Sequence, residues 1–557
     1  MTSENSVRSA QRVVEGLQAQ GVRYVFGIPG GKIFEFWDAL ADGGPELIVC
    51  RHEQNAAFMA AAIGRLTGTP GVVAATSGPG TANLCTGLVT ATTEQDPVVA
   101  LCGAVPLQDR LKHTHQSMNA AALLSAITKY TAELTDPGAA AEAVANAFRI
   151  ATTEPRGAVA LVLADDVMGA PTEARIATAA PASPLGPAPA SGVDEAAAMI
   201  RSAARPVLLV GLRGADVDAS QAVRALLETT GLPVVETFQG AGVVSRELES
   251  CYVGRVGLFK NQPGDMAIAH ADVLITVGYD PVEYDPRLWN ADPSRTVIHI
   301  DSLPAMIDNH YQPALELRGD AAATVLALAG QLEGLALSAE FAAEVAAHRQ
   351  ALADIDQEAL RGEHGPAWLN PAWLVLKLRE RLDDDATIAM DMGTNYIHMI
   401  RHFRVYQPRH LLVSNGQQTM GVGLPWAMAA TLVRPGTQVV SVSGDGGFLM
   451  SAMELETAHR LRSTFTHVLF RDNALDMVVF QQMLRFGRTF GAQLGPFDTV
   501  RYAEAFGAHG YQVSTEEEFL AALDKGLSEE GPSIIDVPVD YSHSTGIGAE
   551  LHADVLQ

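Results

Sequence analysis

The residues of this sequence best suited to chemistry stand at the ends of short apolar runs. Val439 to Val442 reads as a buried strand that stops at Gly444-Asp445-Gly446-Gly447 and gives way to a helical pattern with Met450, Met453, Leu455 and Ala458. Glycines at such a turn let the backbone come close to a ligand, and free N–H groups at a helix start favour phosphate oxygens. Asp445 adds a hard oxygen ligand of the kind Mg²⁺ takes when it also holds phosphates and waters. A second strand, His467 to Phe470, ends in Asp472-Asn473, so the Asn473 side-chain oxygen and a main-chain carbonyl just beyond it can complete the shell of one ion. Glu53 is a third candidate. It follows the strand Leu47 to Cys50 and precedes the small-residue helix A-A-F-M-A-A-A-I-G-R-L, and taken alone it is an acid well placed at a helix N-terminus.

Those residues need a scaffold, and the alternation of strands and helices supplies one. To about residue 170, apolar runs at Tyr24 to Phe26, Leu47 to Cys50, Val72 to Ala75, Val98 to Leu101 and Ala158 to Leu163 alternate with helical stretches. This predicts an α/β fold with parallel sheets flanked by helices, whose ligands sit beyond the carboxyl ends of the strands. The loops there read V-F-G-I-P-G-G, R-H-E-Q-N-A and T-S-G-P-G-T. The expected organisation is a first domain over 1–170, a Pro- and Ala-rich linker over 171–193, a central α/β domain over 194–345, a helical connector over 346–367 and a third domain over 368–557.

Composition narrows the function. A chain of 557 residues exceeds one core. A formal charge of −26 argues against nucleic acid or an anionic membrane as partner, because both need clustered Lys and Arg. The polar, amphipathic start lacks the apolar core of a signal peptide, and no apolar run reaches membrane-spanning length. Cys50, Cys85, Cys102 and Cys251 follow no pairing motif and read as reduced core residues of a cytoplasmic protein. Neither G-x-x-x-x-G-K-[ST] nor G-x-G-x-x-G with a suitably placed acid is present, so nucleotide sites of those kinds are not expected.

Gly-Asp-Gly, then 26 residues, then Asn at the end of an apolar strand resembles the Mg²⁺–diphosphate motif of thiamine-diphosphate enzymes. R-H-E-Q-N-A-A-F-M-A-A-A-I-G-R-L-T-G with T-S-G-P-G-T-A-N-L resembles the pyrimidine-binding domain of the same family, and S-N-G-Q-Q-T-M-G-V-G-L-P-W-A the segment that bends its cofactor. The resemblance implies thiamine diphosphate and Mg²⁺ as cofactors. It makes Asp445, Asn473 and the main chain of Leu475 the metal ligands, and Glu53 the partner of an aminopyrimidine ring nitrogen. Met420 becomes the wedge between the rings and Gln418 the partner of the exocyclic amine. It adds Thr394, Asn395, Gly444, Gly446, Gly447 and Met477 as cofactor contacts, with Gln116 and Gln481 beside the reacting carbon.

Over nearly the whole chain, motifs such as V-F-G-I-P-G-G-K-I, H-Q-S-M, R-V-G-L-F-K-N-Q-P-G-D and G-Y-D-P-V-E-Y-D-P resemble the catabolic, FAD-independent acetolactate synthases. The activity this resemblance implies is decarboxylation of one pyruvate and addition of the two-carbon carbanion to a second. G-Y-D-P-V-E-Y-D-P stands where the FAD-carrying branch has an Arg-Phe-Asp-Asp run, so no functional FAD is expected. Gln481 replaces a Trp that favours 2-oxobutyrate, and Lys32 and His115 are candidates to meet a carboxylate. Ala474, Leu475, His398 and Asn119 depart from the family pattern, leaving two alternatives open: a carboligase or decarboxylase for another 2-oxo acid, and a non-catalytic cofactor-binding protein. The family pattern also implies a homodimer at least, and a homotetramer by likeness, with the two cofactor-binding domains meeting across a subunit boundary.

Overall fold

The computed structural model describes residues 6–177, 185–291, 295–361, 368–542 and 544–551, and builds them into three six-stranded parallel sheets flanked by helices. The first sheet contains β1 (Tyr24–Ile28), β2 (Glu46–Val49), β3 (Gly71–Ala75), β4 (Val98–Ala104), β5 (Tyr130–Leu134) and β6 (Ala158–Ala164), in the order β2-β1-β3-β4-β6-β5. The central sheet contains β7 (Pro206–Val210), β8 (Val234–Glu236), β9 (Tyr252–Arg255), β10 (Val273–Val277), β11 (Thr296–Asp301) and β12 (Leu315–Arg318), in the order β9-β8-β7-β10-β11-β12. In the third, β13 (Thr387–Met390), β14 (Leu411–Leu412), β15 (Val439–Gly444), β16 (Phe465–Arg471), β17 (His509–Gln512) and β18 (Pro532–Pro538) run β14-β13-β15-β16-β18-β17. The first and third sheets therefore share one strand order. β3, β4 and β6 are apolar throughout and every residue of each is buried, as helices on both faces require.

Two expected boundaries fall inside helices. Ala190–Ser202 is one helix that begins before residue 194, and Ala339–Arg361 is one helix that runs through the 345/346 junction. Pro171–Thr172, at the start of the expected linker, pairs antiparallel with Val7–Arg8. The remainder of the linker includes 178–184, and the end of the connector includes 362–367; both lie outside the described residues. Among the described residues no helix is long and apolar enough to cross a membrane.

One joint sets the first and third units against each other. The helix Gly423–Val433 (G-L-P-W-A-M-A-A-T-L-V) is apolar all round and lies between the third sheet and the helix Glu53–Thr67 of the first unit, so both helices share one core. Arg65 locks the joint: the guanidinium donates to both Asp96 oxygens at 2.7 Å and to the Val413 carbonyl at 2.8 Å, with its charge over the Trp426 ring.

Candidate active site

β15 and β16 end side by side, and their last residues are tied together. Asp445, only 2% exposed, accepts the Asn473 N–H at 2.7 Å with Oδ2 and the Gly446 N–H at 2.8 Å with Oδ1. Asn473 sits at φ +59°, a left-handed conformation that asparagine tolerates better than most residues. Its Oδ1 is buried with no hydrogen-bond donor, and so is that of Asn395. Asp472 and Asp476 stand close by. Burial, with the Asp445 and Asp476 charges added, pushes the Asp472 carboxyl up to about 7; burial also raises Asp445 and Asp476. This is an acceptor-rich, cation-poor group of oxygens, the donor chemistry of a hard divalent ion.

Beside it opens a cavity whose wall includes Thr394, Asn395, Gln418, Met420, Gly444, Gly446, Gly447, Leu475, Met477 and Gln481. Asp445 and Asn473 lie behind that wall, represented in it by their neighbours Gly444, Gly446, Asp472 and Ala474. A Cβ on Gly446 would stand 2.6 Å from Leu475 Cδ2, and one on Gly447 would stand 2.9 Å from the Asp391 carboxyl carbon, so neither position admits a side chain without a shift. Asp391 was missed by sequence reasoning. Buried at the end of β13, it accepts N–H bonds from Met392 and Gly421 at 2.8 Å and from Gly423 at 3.3 Å, fixing the turn that carries Met420.

Leu475 is the residue at which the helix Asp476–Phe486 begins. Its carbonyl, expected as a metal ligand, already accepts the N–H groups of Val478 (2.8 Å) and Val479 (3.0 Å) in the first turn of the helix Asp476–Phe486.

The second group lies at the ends of β1, β2 and β3. Glu53, 8% exposed, opens its helix with His52 as N-cap, and Glu53 Oε2 accepts from Asn83 Nδ2 at 2.9 Å. Its Oε1 lies 3.2 Å from where a Cβ on Gly80 would stand. Gln116 is held at φ +59° with its carbonyl accepting the Ser77 hydroxyl at 2.7 Å, and it borders Gly78. Lys32 is half-buried and reaches Thr76 through its backbone N–H, whereas His115 is exposed.

Neither Glu53 nor Gln116 lines the cavity; apart from Leu258, every wall residue belongs to the third unit. Even so, the two groups are mechanically joined by Glu454, another residue that sequence reasoning missed. Its Oε1 accepts N–H bonds from Arg51 (2.8 Å) and His52 (3.0 Å) and from Asn55 Nδ2 (3.2 Å), all flanking Glu53. Glu94 acts similarly at the meeting of three units: its carboxylate accepts the Ser414 hydroxyl at 3.1 Å, the Gly416 N–H at 2.9 Å and the Gln239 amide.

Three departures from the family pattern acquire physical roles. Asn119 caps the helix Ala120–Ser125, its Oδ1 accepting the Ala122 N–H at 3.0 Å. His398 is buried, stacks against His402 and Tyr541, and is lowered by burial to about 3, so it stays neutral. Ala474 forms a bridge with Gln493, and Leu494 N–H donates to the Asn473 carbonyl at 2.8 Å, pinning the loop that follows β16.

Comparison with known proteins returns three family models in chain order: "Thiamine pyrophosphate enzyme, N-terminal TPP binding domain" over residues 7–123, the central domain over 193–328 and the C-terminal TPP binding domain over 391–537. The acetolactate synthase of Bacillus subtilis is 50% identical over 548 residues, covering 98% of this chain and 95% of that protein. The catabolic acetolactate synthase of Raoultella terrigena is 42% identical, covering 98% and 97%. The isozyme 2 large subunit of acetolactate synthase from Escherichia coli is 32% identical, covering 96% of each chain.

Proposed function

The chain belongs to the acetolactate synthases among the thiamine pyrophosphate enzymes, and from that premise we propose how its residues divide the work of joining two molecules of pyruvate into 2-acetolactate with loss of CO₂. Thiamine diphosphate, when bound, supplies the electron sink that makes decarboxylation and carbon–carbon bond formation possible. The observation that carries the reading is the pair of buried, donorless amide oxygens on Asn473 and Asn395 beside Asp445, at a glycine-lined cavity where added Cβ atoms would clash. Asp445 and Asn473 hold Mg²⁺, and Gly444, Gly446, Gly447, Thr394 and Asn395 cradle the diphosphate. Met420 and Gln418 form the wall against the rings, with Met420 fixed from behind by Asp391. Gln481 and Met477 border the space left for substrate, and a polar Gln481 suits a pyruvate acceptor.

Glu53 Oε1, the oxygen that Asn83 leaves free, holds the proton shared with the aminopyrimidine ring. Because Glu53 and Gln116 do not line the cavity of their own chain, a second copy supplies them, and the working unit is at least a dimer. The absence of functional FAD is part of the same proposal. Tyr279, Tyr284, Trp289 and Tyr311 fill the G-Y-D-P-V-E-Y-D-P region with packed rings, and Asp280 is committed to Arg213 and Gln95.

Incubation with pyruvate, thiamine diphosphate and Mg²⁺ tests the reading: acetolactate is expected, and inertness toward pyruvate would overturn it. The Leu475 side chain reaching toward Gly446 narrows the cavity beside the metal loop and favours a second reading, a different 2-oxo acid as donor or acceptor. A panel of 2-oxo acids separates the two by which one gives the higher kcat/KM.

A further inference from the structure

Far from the cofactor residues along the chain, the helix Pro263–His270 ends against the helix Ala339–Arg361, and three metal-ligating side chains converge there. His270 is the last residue of its helix, where backbone carbonyls favour positive charge, while Glu344 and His348 lie one turn apart on the same face of the other. One ligand atom from each falls within 4.8 Å of the other two, the one such His/Cys/Asp/Glu cluster found among the described residues. We propose that His270, Glu344 and His348 form a binding site for a divalent transition cation of the Zn²⁺ type, separate from the Mg²⁺ site, that clamps these two helices together.

The donor set is chemically selective. Two imidazoles and one carboxylate suit Zn²⁺ and its first-row neighbours and suit Mg²⁺ poorly. Tetrahedral Zn²⁺ with bonds of about 2.0–2.1 Å places its ligand atoms roughly 3.3 Å apart, so from separations within 4.8 Å the side chains need close by no more than about 1.5 Å. Half-exposed His270 can make that movement, and its Nδ1 already stands 3.3 Å from Glu344 Oε1. The other carboxylate oxygen, Oε2, accepts from Arg205 Nε at 2.8 Å, which fixes the carboxylate plane and leaves Oε1 for the ion. Protonation states agree with the geometry: burial lowers the His348 pKa, keeping the ring neutral, and the Arg205 hydrogen bond lowers that of Glu344, keeping it ionised. A fourth position, facing solvent, takes water.

The test is equilibrium dialysis of the full-length protein, loaded with thiamine diphosphate and Mg²⁺, against Zn²⁺. The wild type should take up one Zn²⁺ per chain more than His348→Ala or Glu344→Gln, and Zn²⁺ should raise the Tm of the wild type but of neither variant. Acetolactate formation should be unchanged in both variants, because neither residue touches the cofactor cavity. Zn²⁺ held at the free thiols or at the Mg²⁺ site is common to all three proteins and cancels. Equal uptake by wild type and both variants, or no uptake by the wild type, would reduce the cluster to a surface ion pair with Arg205 and overturn the proposal.

Discussion

Replacing Glu454 probes whether the first and third units must be held together for Glu53 to act. Its side chain is fully buried, with one oxygen facing three donors beside Glu53 and the other accepting the Thr457 hydroxyl at 2.7 Å. Glu454→Ala leaves those three donors without an acceptor. At about 1–3 kcal/mol for each buried unsatisfied donor, reduced because the Arg51 and His52 amides are only partly buried, the loss is about 3–5 kcal/mol. Glu454→Gln keeps an amide oxygen toward the donors and turns its NH₂ to Thr457, whose hydroxyl can rotate to accept; it forfeits charge assistance alone, about 1–2 kcal/mol. Activity should follow placement rather than charge. A displacement of Glu53 by about 1 Å costs on the order of 100-fold in rate, so kcat should collapse in Glu454→Ala and fall by about tenfold or less in Glu454→Gln. Urea unfolding gives the stability term, and initial rates of acetolactate formation at saturating cofactor, under conditions where both variants stay folded, give the kinetic one. A Glu454→Ala enzyme within about 1 kcal/mol and about twofold of wild type would refute the reasoning.

Other substitutions separate the two halves of the site. Glu53→Gln should leave thiamine diphosphate affinity largely intact by calorimetric titration while lowering kcat by about 10²–10⁴-fold, the range for a lost general acid–base group. Asp445→Ala should weaken Mg²⁺-dependent cofactor binding by at least about tenfold in the same titration, and unchanged affinity would remove Asp445 from the metal shell. A pH effect is expected from His467, buried between Ser441 Oγ (2.7 Å) and Ser443 Oγ (2.8 Å) in the third sheet and lowered by burial to about 3. Its folded pKa lies below the unfolded value of about 6.5, so its contribution is full above that pH and is lost as pH falls toward 3, by up to about 1.4 kcal/mol per unit. Chemical denaturation across that range should show a shallower acid limb in His467→Gln.

What could be read in the sequence was local. Strand, glycine turn and helix at Val439 to Ala458 are encoded by neighbours, and so is the buried acid at the start of Glu53–Thr67. The strands left unread include the five edge strands Tyr130–Leu134, Tyr252–Arg255, Leu315–Arg318, Leu411–Leu412 and His509–Gln512, and two buried central ones, Thr387–Met390 and Pro532–Pro538, the latter broken by Ser533 and Asp536. Edge strands bury one side and carry little apolar signal. Asp391, Glu454 and Glu94 escaped for a different reason. Glu454 and Glu94 have partners hundreds of residues away, and Asp391 one set 30 residues on, so nothing at their own positions announces what they hold. The only cue was an acid flanked by apolar residues, Glu454 between Met453 and Leu455 and Asp391 between Met390 and Met392.

The repeated strand order explains why the site divides as it does. Two sheets of identical order each expose functional loops at the carboxyl ends of their strands, one presenting an acid and the other a group of oxygen ligands. Within one chain the sheets meet through the backs of those loops: Glu53–Thr67 packs on Gly423–Val433, and Glu454 grips the turn before Glu53. The wall of the Met420 cavity takes nothing from the first unit. In the dimer proposed above, a chain joined in this way orients both halves of the site and completes neither. On this reading Glu454 does double duty, fixing its own chain's acid for a neighbour's cofactor while sitting just past the short helix Asp445–Ser451 that begins at its own diphosphate loop, and damage there should lower the activity of the whole assembly.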